Sequence, residues 1–125
     1  MKKRILATLL LSSFSLLSAS ESGQELLDAK CTACHMTSSS SGKLANGKMG
    51  GPPMWGIMKK VKVRYKEQSE GEAFVSDYAL EPSKDKMLFP QATIDYFGEM
   101  PSMQGKVTKE ELDQIAKYLY KLYQK

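Results

Sequence analysis

Both cysteines and the single histidine of this 125-residue chain fall within "DAKCTACHMT", residues 28–37. Two residues separate Cys31 from Cys34, and His35 follows at once. Such a group serves a disulfide, a zinc site, a redox dithiol or covalent haem attachment. A disulfide here would close too short a loop to constrain the unfolded chain. A zinc site needs four Cys or His ligands, or three and a water, and the chain has no further Cys or His. A thioredoxin-like dithiol expects strands alternating with helices, whereas the apolar periodicity here is helical. Cys-x-x-Cys-His is the attachment signature of c-type haem. Two thiols about one helical turn apart can each add to a vinyl group on one side of the porphyrin. The adjacent histidine then stands beneath the iron. Cys31 and Cys34 are therefore the expected thioether anchors, and His35 the expected iron ligand.

A second axial ligand cannot be histidine, because none remains. Methionine is the natural partner, and it raises the reduction potential of such iron. Met36 is too close to His35 to reach the opposite face, and Met54 and Met58 read as pocket wall. Met87 stays open as a candidate. Met100 lies in "GEMPSM" between Gly98 and Pro101, where the proline restricts the preceding residue. Met103, three residues on, is the runner-up. The remaining methionine of this part of the chain, Met49, reads as flexible core filler.

These residues need elements to hold them. "SGQELLDAKCTACH" predicts a first helix running up to or through the cysteine motif, with Ser22 and Glu25 as a capping box. "MTSSSSGKLANGKMGGPP" predicts a loop. Ile57, Met58, Val61 and Tyr65 share one helical face, which favours a helix over the strand suggested by Val61, Val63 and Tyr65. "EQSEG" predicts a turn, "EAFVSDYAL" a short helix, and "QATIDYFG" a short helix or turn. The last helix, "TKEELDQIAKYLYKLYQ", carries a Thr108–Glu111 capping box. Its apolar stripe is Leu112, Ile115, Ala116, Leu119 and Tyr123. The expectation is an all-α domain of four to five helices. Its long polar loops need an organising group, which points independently to a cofactor.

Residues 1–20 have the three-part layout of a secretory signal peptide: "MKKR", an uncharged leucine-rich run, and small residues at Ser18 and Ser20. The apolar run is short for a membrane span of about 20 residues. Cleavage after Ser20 leaves a single domain, 21–125, exported to the periplasm with no membrane span. The formal charge of +4 includes Lys2, Lys3 and Arg4, and discounting these three leaves +1. A nucleic-acid role thereby loses its compositional support.

The order of the helix into "CTACH", the "GPPMWG" segment, the methionine–proline loop and the final "IAKYLY" helix resembles bacterial monohaem class I c-type cytochromes. The resemblance covers nearly all of 21–125. It implies the class I fold around one covalently bound haem c, with His35 and Met100 as the iron's axial ligands. It also implies a hydrogen bond from the His35 ring to the Pro52 carbonyl, and a crossing of the last helix over the first near Gly23 and Leu27, through Leu119 or Tyr118. Stretch 56–99 is longer than in the most compact members, which leaves the propionate contacts open. Trp55, Tyr78 and Tyr96 could donate there, but they read somewhat better as core aromatics.

With two protein ligands the iron has no open position. The expected role is a monomeric periplasmic one-electron carrier rather than an enzyme, meeting redox partners transiently. The alternatives are a haem-bearing subunit of a larger oxidoreductase, docking through Tyr120 and Tyr123, and a haem sensor or enzyme with a displaceable distal ligand. Lys59, Lys60, Lys62, Arg64 and Lys66 suggest steering toward an acidic partner. They read equally well as a solvated helix face, partly cancelled by Glu67, Glu70 and Glu72.

Overall fold

The computed structural model describes residues 22–124. The expected signal peptide, 1–20, lies outside the described residues. Five helices follow in order: α1 (Gly23–Lys30), α2 (Met54–Arg64), α3 (Gln68–Leu80), α4 (Gln91–Phe97) and α5 (Lys109–Leu122). Among the described residues there is no strand beyond an isolated Lys43–Met49 bridge. The fold is all-α.

Two capping boxes start the two helices that matter most for the frame. Ser22 and Glu25 exchange hydrogen bonds of 2.8 and 3.2 Å at the head of α1. Thr108 and Glu111 do the same at 3.0 and 3.1 Å at the head of α5. Each box satisfies two backbone N–H groups that a helix otherwise leaves unpaired. Prolines, Pro53 and Pro90, set the starts of α2 and α4.

Helix α5 is the spine. It packs on α1, α2 and α3. Its stripe of Leu112, Ile115, Ala116 and Leu119 is buried against Leu26 and Leu27 of α1, Met58 and Val61 of α2, and Ala79 of α3. The α1–α5 crossing is close because Gly23 has no side chain. A Cβ there would stand 2.6 Å from the Gln114 carbonyl oxygen and 2.7 Å from Tyr118 Cβ. Between α3 and α5, the buried Ser76 hydroxyl donates to Asp113 at 2.7 Å.

Three expectations need correction. "EQSEG" is not a turn, because α3 begins at Gln68 and runs through it. Gly71 there serves close approach: any Cβ would collide with the Tyr120 hydroxyl on α5. Tyr120 is consequently buried within the fold, at 9% exposure, and gives an outside partner nothing to dock on. Trp55 and Tyr96 are not core aromatics, being 55% and 77% exposed.

Candidate functional site

Between α2, α3, α4 and the loops around them lies a cavity of about 360 Å³. That falls in the ordinary range for a site enclosing a small organic group, about 300–1,000 Å³. Its walls are mostly apolar. Met54, Ile57 and Val61 come from α2, Phe74, Val75 and Ala79 from α3, Ile94 and Phe97 from α4, and Leu112, Ile115 and Leu119 from α5. Helix α4 packs on no other helix among the described residues. It is held instead as part of this wall.

The cysteine motif forms one side. Helix α1 stops at Lys30, and Cys31 is its C-cap, bonded back to the Leu27 carbonyl. The chain then turns tightly, with the N–H groups of Cys34 and His35 both donating to the Cys31 carbonyl at 3.3 and 3.0 Å. This turn brings Cys31, Cys34 and His35 to the cavity together. Both thiols are free. Burial, with the neighbouring Cys34 second, pushes the Cys31 thiol up to about 11.

His35 is oriented from behind. Its Nδ1–H donates to the Pro52 carbonyl at 2.7 Å. A carbonyl can only accept, so the bond fixes the proton on Nδ1 and leaves Nε2 as the ring nitrogen with a lone pair. Burial holds His35 below its ordinary value, and the Pro52 bond opposes this. The ring is therefore a neutral ligand in waiting, and its carbonyl partner raises ligand basicity.

Two glycines complete this cradle. A Cβ on Gly51 would lie 2.7 Å from His35 Cε1, and one on Gly50 would lie 2.8 Å from both Cα and Cβ of Cys34. Backbone thus touches the histidine and the second cysteine where any side chain would displace them. Signals of this kind stand in the sequence as "GGPP".

Two loops add to the lining. Met87, Leu88 and Phe89 enter from the segment after α3, and Met100, Pro101 and Met103 from the segment after α4. Met100 and Met103 are both half-buried and both line the cavity. Met58 is fully buried in the core and does not line it, whereas Met54 does. Of the aromatics considered for propionates, Tyr78 lines the cavity and Trp55 and Tyr96 do not. Burial, then Glu99, raises the Tyr78 hydroxyl. Lys84 and Lys106 also reach the wall, a feature that sequence reasoning missed.

These donors fit a covalently bound haem. Two free thiols stand with one neutral imidazole whose back is already bonded, and methionine sulfurs are the further soft donors in the lining. They do not fit a zinc site: among the described residues no three His, Cys, Asp or Glu side chains gather. No helix among the described residues is long and apolar enough to cross a membrane.

Comparison with known proteins agrees with this chemistry. The family model described as Cytochrome c matches residues 20–122. A protein of Aquifex aeolicus (strain VF5), named only as an uncharacterized protein, is 27% identical over 113 residues, covering 82% of this chain and 74% of that protein. No solved structure matches.

Proposed function

The chain belongs to the cytochrome c family, whose members carry covalently attached haem c and transfer electrons, and on that premise we propose that it is a periplasmic one-electron carrier with His35 and Met100 as axial ligands. The observation that carries the reading is the His35–Pro52 bond of 2.7 Å beside two free thiols on an apolar cavity. When bound, the haem supplies a one-electron change between ferrous and ferric iron.

The chain's own residues do the rest. Cys31 and Cys34 hold the group as thioether anchors. Pro52 keeps the His35 ring from rotating and its Nε2 aimed away from the carbonyl. The apolar walls from α2, α3 and α5 exclude water, so little solvent reorganises when the charge changes. Met100 would be the second protein ligand to the bound group, which would leave no position for substrate. Gly98 and Pro101 on either side of Met100 give the segment its bend.

The test is an absorption spectrum of the haem protein in both redox states. Methionine–iron ligation gives a weak band at the red end of the ferric spectrum. Met100→Ala should abolish it, and Met103→Ala should leave it. Absence of the band in the parent, with ready carbon monoxide binding to the reduced form, sinks the carrier reading in favour of a sensor or enzyme.

Partner encounters are brief in this reading, with the small interfaces of electron-transfer complexes. The fixed-subunit alternative is weakened by the burial of Tyr120. Steering rests on Lys59, Lys60, Arg64 and Lys66, all exposed and none in an ion pair among the described residues. Lys62 drops out, because its ammonium donates to the Tyr123 carbonyl at the end of α5. The rate of electron transfer to an acidic partner should fall as ionic strength rises. A flat profile removes steering from the account.

A further inference from the structure

Helix α3 ends without a cap of its own. Its C-cap, Glu81, has φ −133° and ψ 71°, not the left-handed turn that usually closes a helix, and no basic residue stands in its last turn. The final carbonyls of a helix need partners from elsewhere. Two of them find partners on the loop after Met100. The Met103 N–H donates to the Ala79 carbonyl at 2.9 Å. The Ser102 hydroxyl donates to the Leu80 carbonyl at 2.5 Å and accepts from the Gln104 N–H at 3.2 Å.

We propose that Ser102 is the positioning residue of the distal side: its hydroxyl ties the Met100 segment to the C-terminal end of α3 and so fixes how firmly Met100 holds the iron. The proposal rests on the reading of Met100 as distal ligand. The geometry behind it is one-sided. Downstream of Met100 the chain is pinned at Ser102 and Met103, and then at the buried Val107, whose N–H donates to the Met103 carbonyl at 3.2 Å. Upstream stand Gly98, with φ +82°, no atom within 4 Å of a would-be Cβ and its N–H donating to the Ile94 carbonyl of α4 at 2.7 Å, and Glu99, which makes an exposed 3.7 Å ion pair to Lys84. That upstream root is on α4, which packs on no other helix among the described residues, so it is the looser of the two, and Ser102 is the first tie to the α3 frame after Met100. Helix α3 packs on α5 and α2, so the anchor is part of the rigid frame. Met103, with its own backbone N–H and carbonyl both engaged, is part of that anchor.

The test compares Ser102→Ala, Ser102→Thr and Met100→Ala as holoproteins. Imidazole binds ferric iron only after the distal ligand leaves, so its binding rate reads how firmly that ligand is held. Ser102→Ala should keep the haem and the methionine–iron band, bind imidazole about fivefold faster, as expected for one lost neutral hydrogen bond, and lose the band at lower temperature. Ser102→Thr, which keeps the hydroxyl, should restore parental behaviour. Unchanged imidazole kinetics in Ser102→Ala, with the band abolished by Met100→Ala, overturns the proposal and leaves the ligand reading standing. A band that survives Met100→Ala overturns the ligand reading, and the proposal with it.

Discussion

The two sides of the cavity are built by different means. On the proximal side two short stretches, 31–35 and 50–52, are pressed together. Residues 31–35 form a single turn off α1, Pro52 fixes the imidazole, and Gly50 and Gly51 press bare backbone against Cys34 and His35. On the proposed distal side the Met100 segment spans a gap between α4 and α5 and is tied to α3 by two hydrogen bonds, Ser102 to Leu80 and Met103 to Ala79. The first side is rigid because there is no room for it to be otherwise. The second is held because particular hydrogen bonds exist. The proposed carrier would gain from both: the anchor that must never leave is packed, and the proposed ligand, Met100, is tethered.

One pair of glycines breaks or upholds this contrast. Gly51→Ala puts a methyl group 2.7 Å from an imidazole ring that Pro52 prevents from moving. Overpacking of this kind costs typically about 1–3 kcal/mol, and the fixed ring places this variant near the upper end. Gly98→Ala meets nothing within 4 Å, so only its φ of +82° is penalised. With ψ at 176° this backbone lies in a region that essentially only glycine populates, which costs an L-residue about 1–3 kcal/mol unless the open loop shifts to relieve it. Denaturant unfolding of the two holoproteins should rank Gly51→Ala as the more damaging. Equal losses, or the reverse order, would mean that the proximal cradle relaxes as freely as the distal loop.

The same contrast explains what the sequence could and could not convey. The proximal chemistry was legible because it is local: Cys31, Cys34 and His35 share one turn, and no other histidine competes. The Thr108 and Ser22 caps were legible for the same reason, since a capping box is a four-residue signal. Gly71 was misread as a turn residue because glycine permits both a turn and a close crossing. Only the tertiary position of Tyr120, on a helix far along the chain, decides between them. Trp55 and Tyr96 were misplaced for a related reason. Aromatic type alone does not say which face of a short helix points inward, and α4, packed on no other helix, has few constraints that reveal it. The bond from the Met103 N–H to Ala79, which distinguishes the backbone at Met103 from that at Met100, joins α3 to the loop after α4 and likewise has no sequence signature.

The smallest expected effect lies where the distal loop meets its downstream root. Val107 is buried, and Thr108 opens α5 directly after it. Thr108→Ala removes the hydroxyl that accepts from the Glu111 N–H, worth about 1 kcal/mol for a typical cap. The Glu111 carboxylate takes part separately. The Thr108 backbone N–H, foremost, holds it below its ordinary value of 4.5. Asp113, two residues on, is lowered below 3.8 by Lys109 and then Ser76. A carboxylate lowered by folding stabilises the native state above its unfolded pKa, and that stability is lost as pH falls through the folded pKa. Melting temperature followed downward from pH 6 should therefore hold steady and then drop below about pH 4.5. Glu111→Gln should flatten part of that drop, because an amide has no proton to take up. Because Glu111 is only half-buried, the flattening should be slight and should shrink further with added salt. If the acid slope of Glu111→Gln matches the parent's, the N–H bond to Glu111 contributes nothing to the root of the distal loop, and Ser102 and Met103 alone carry it.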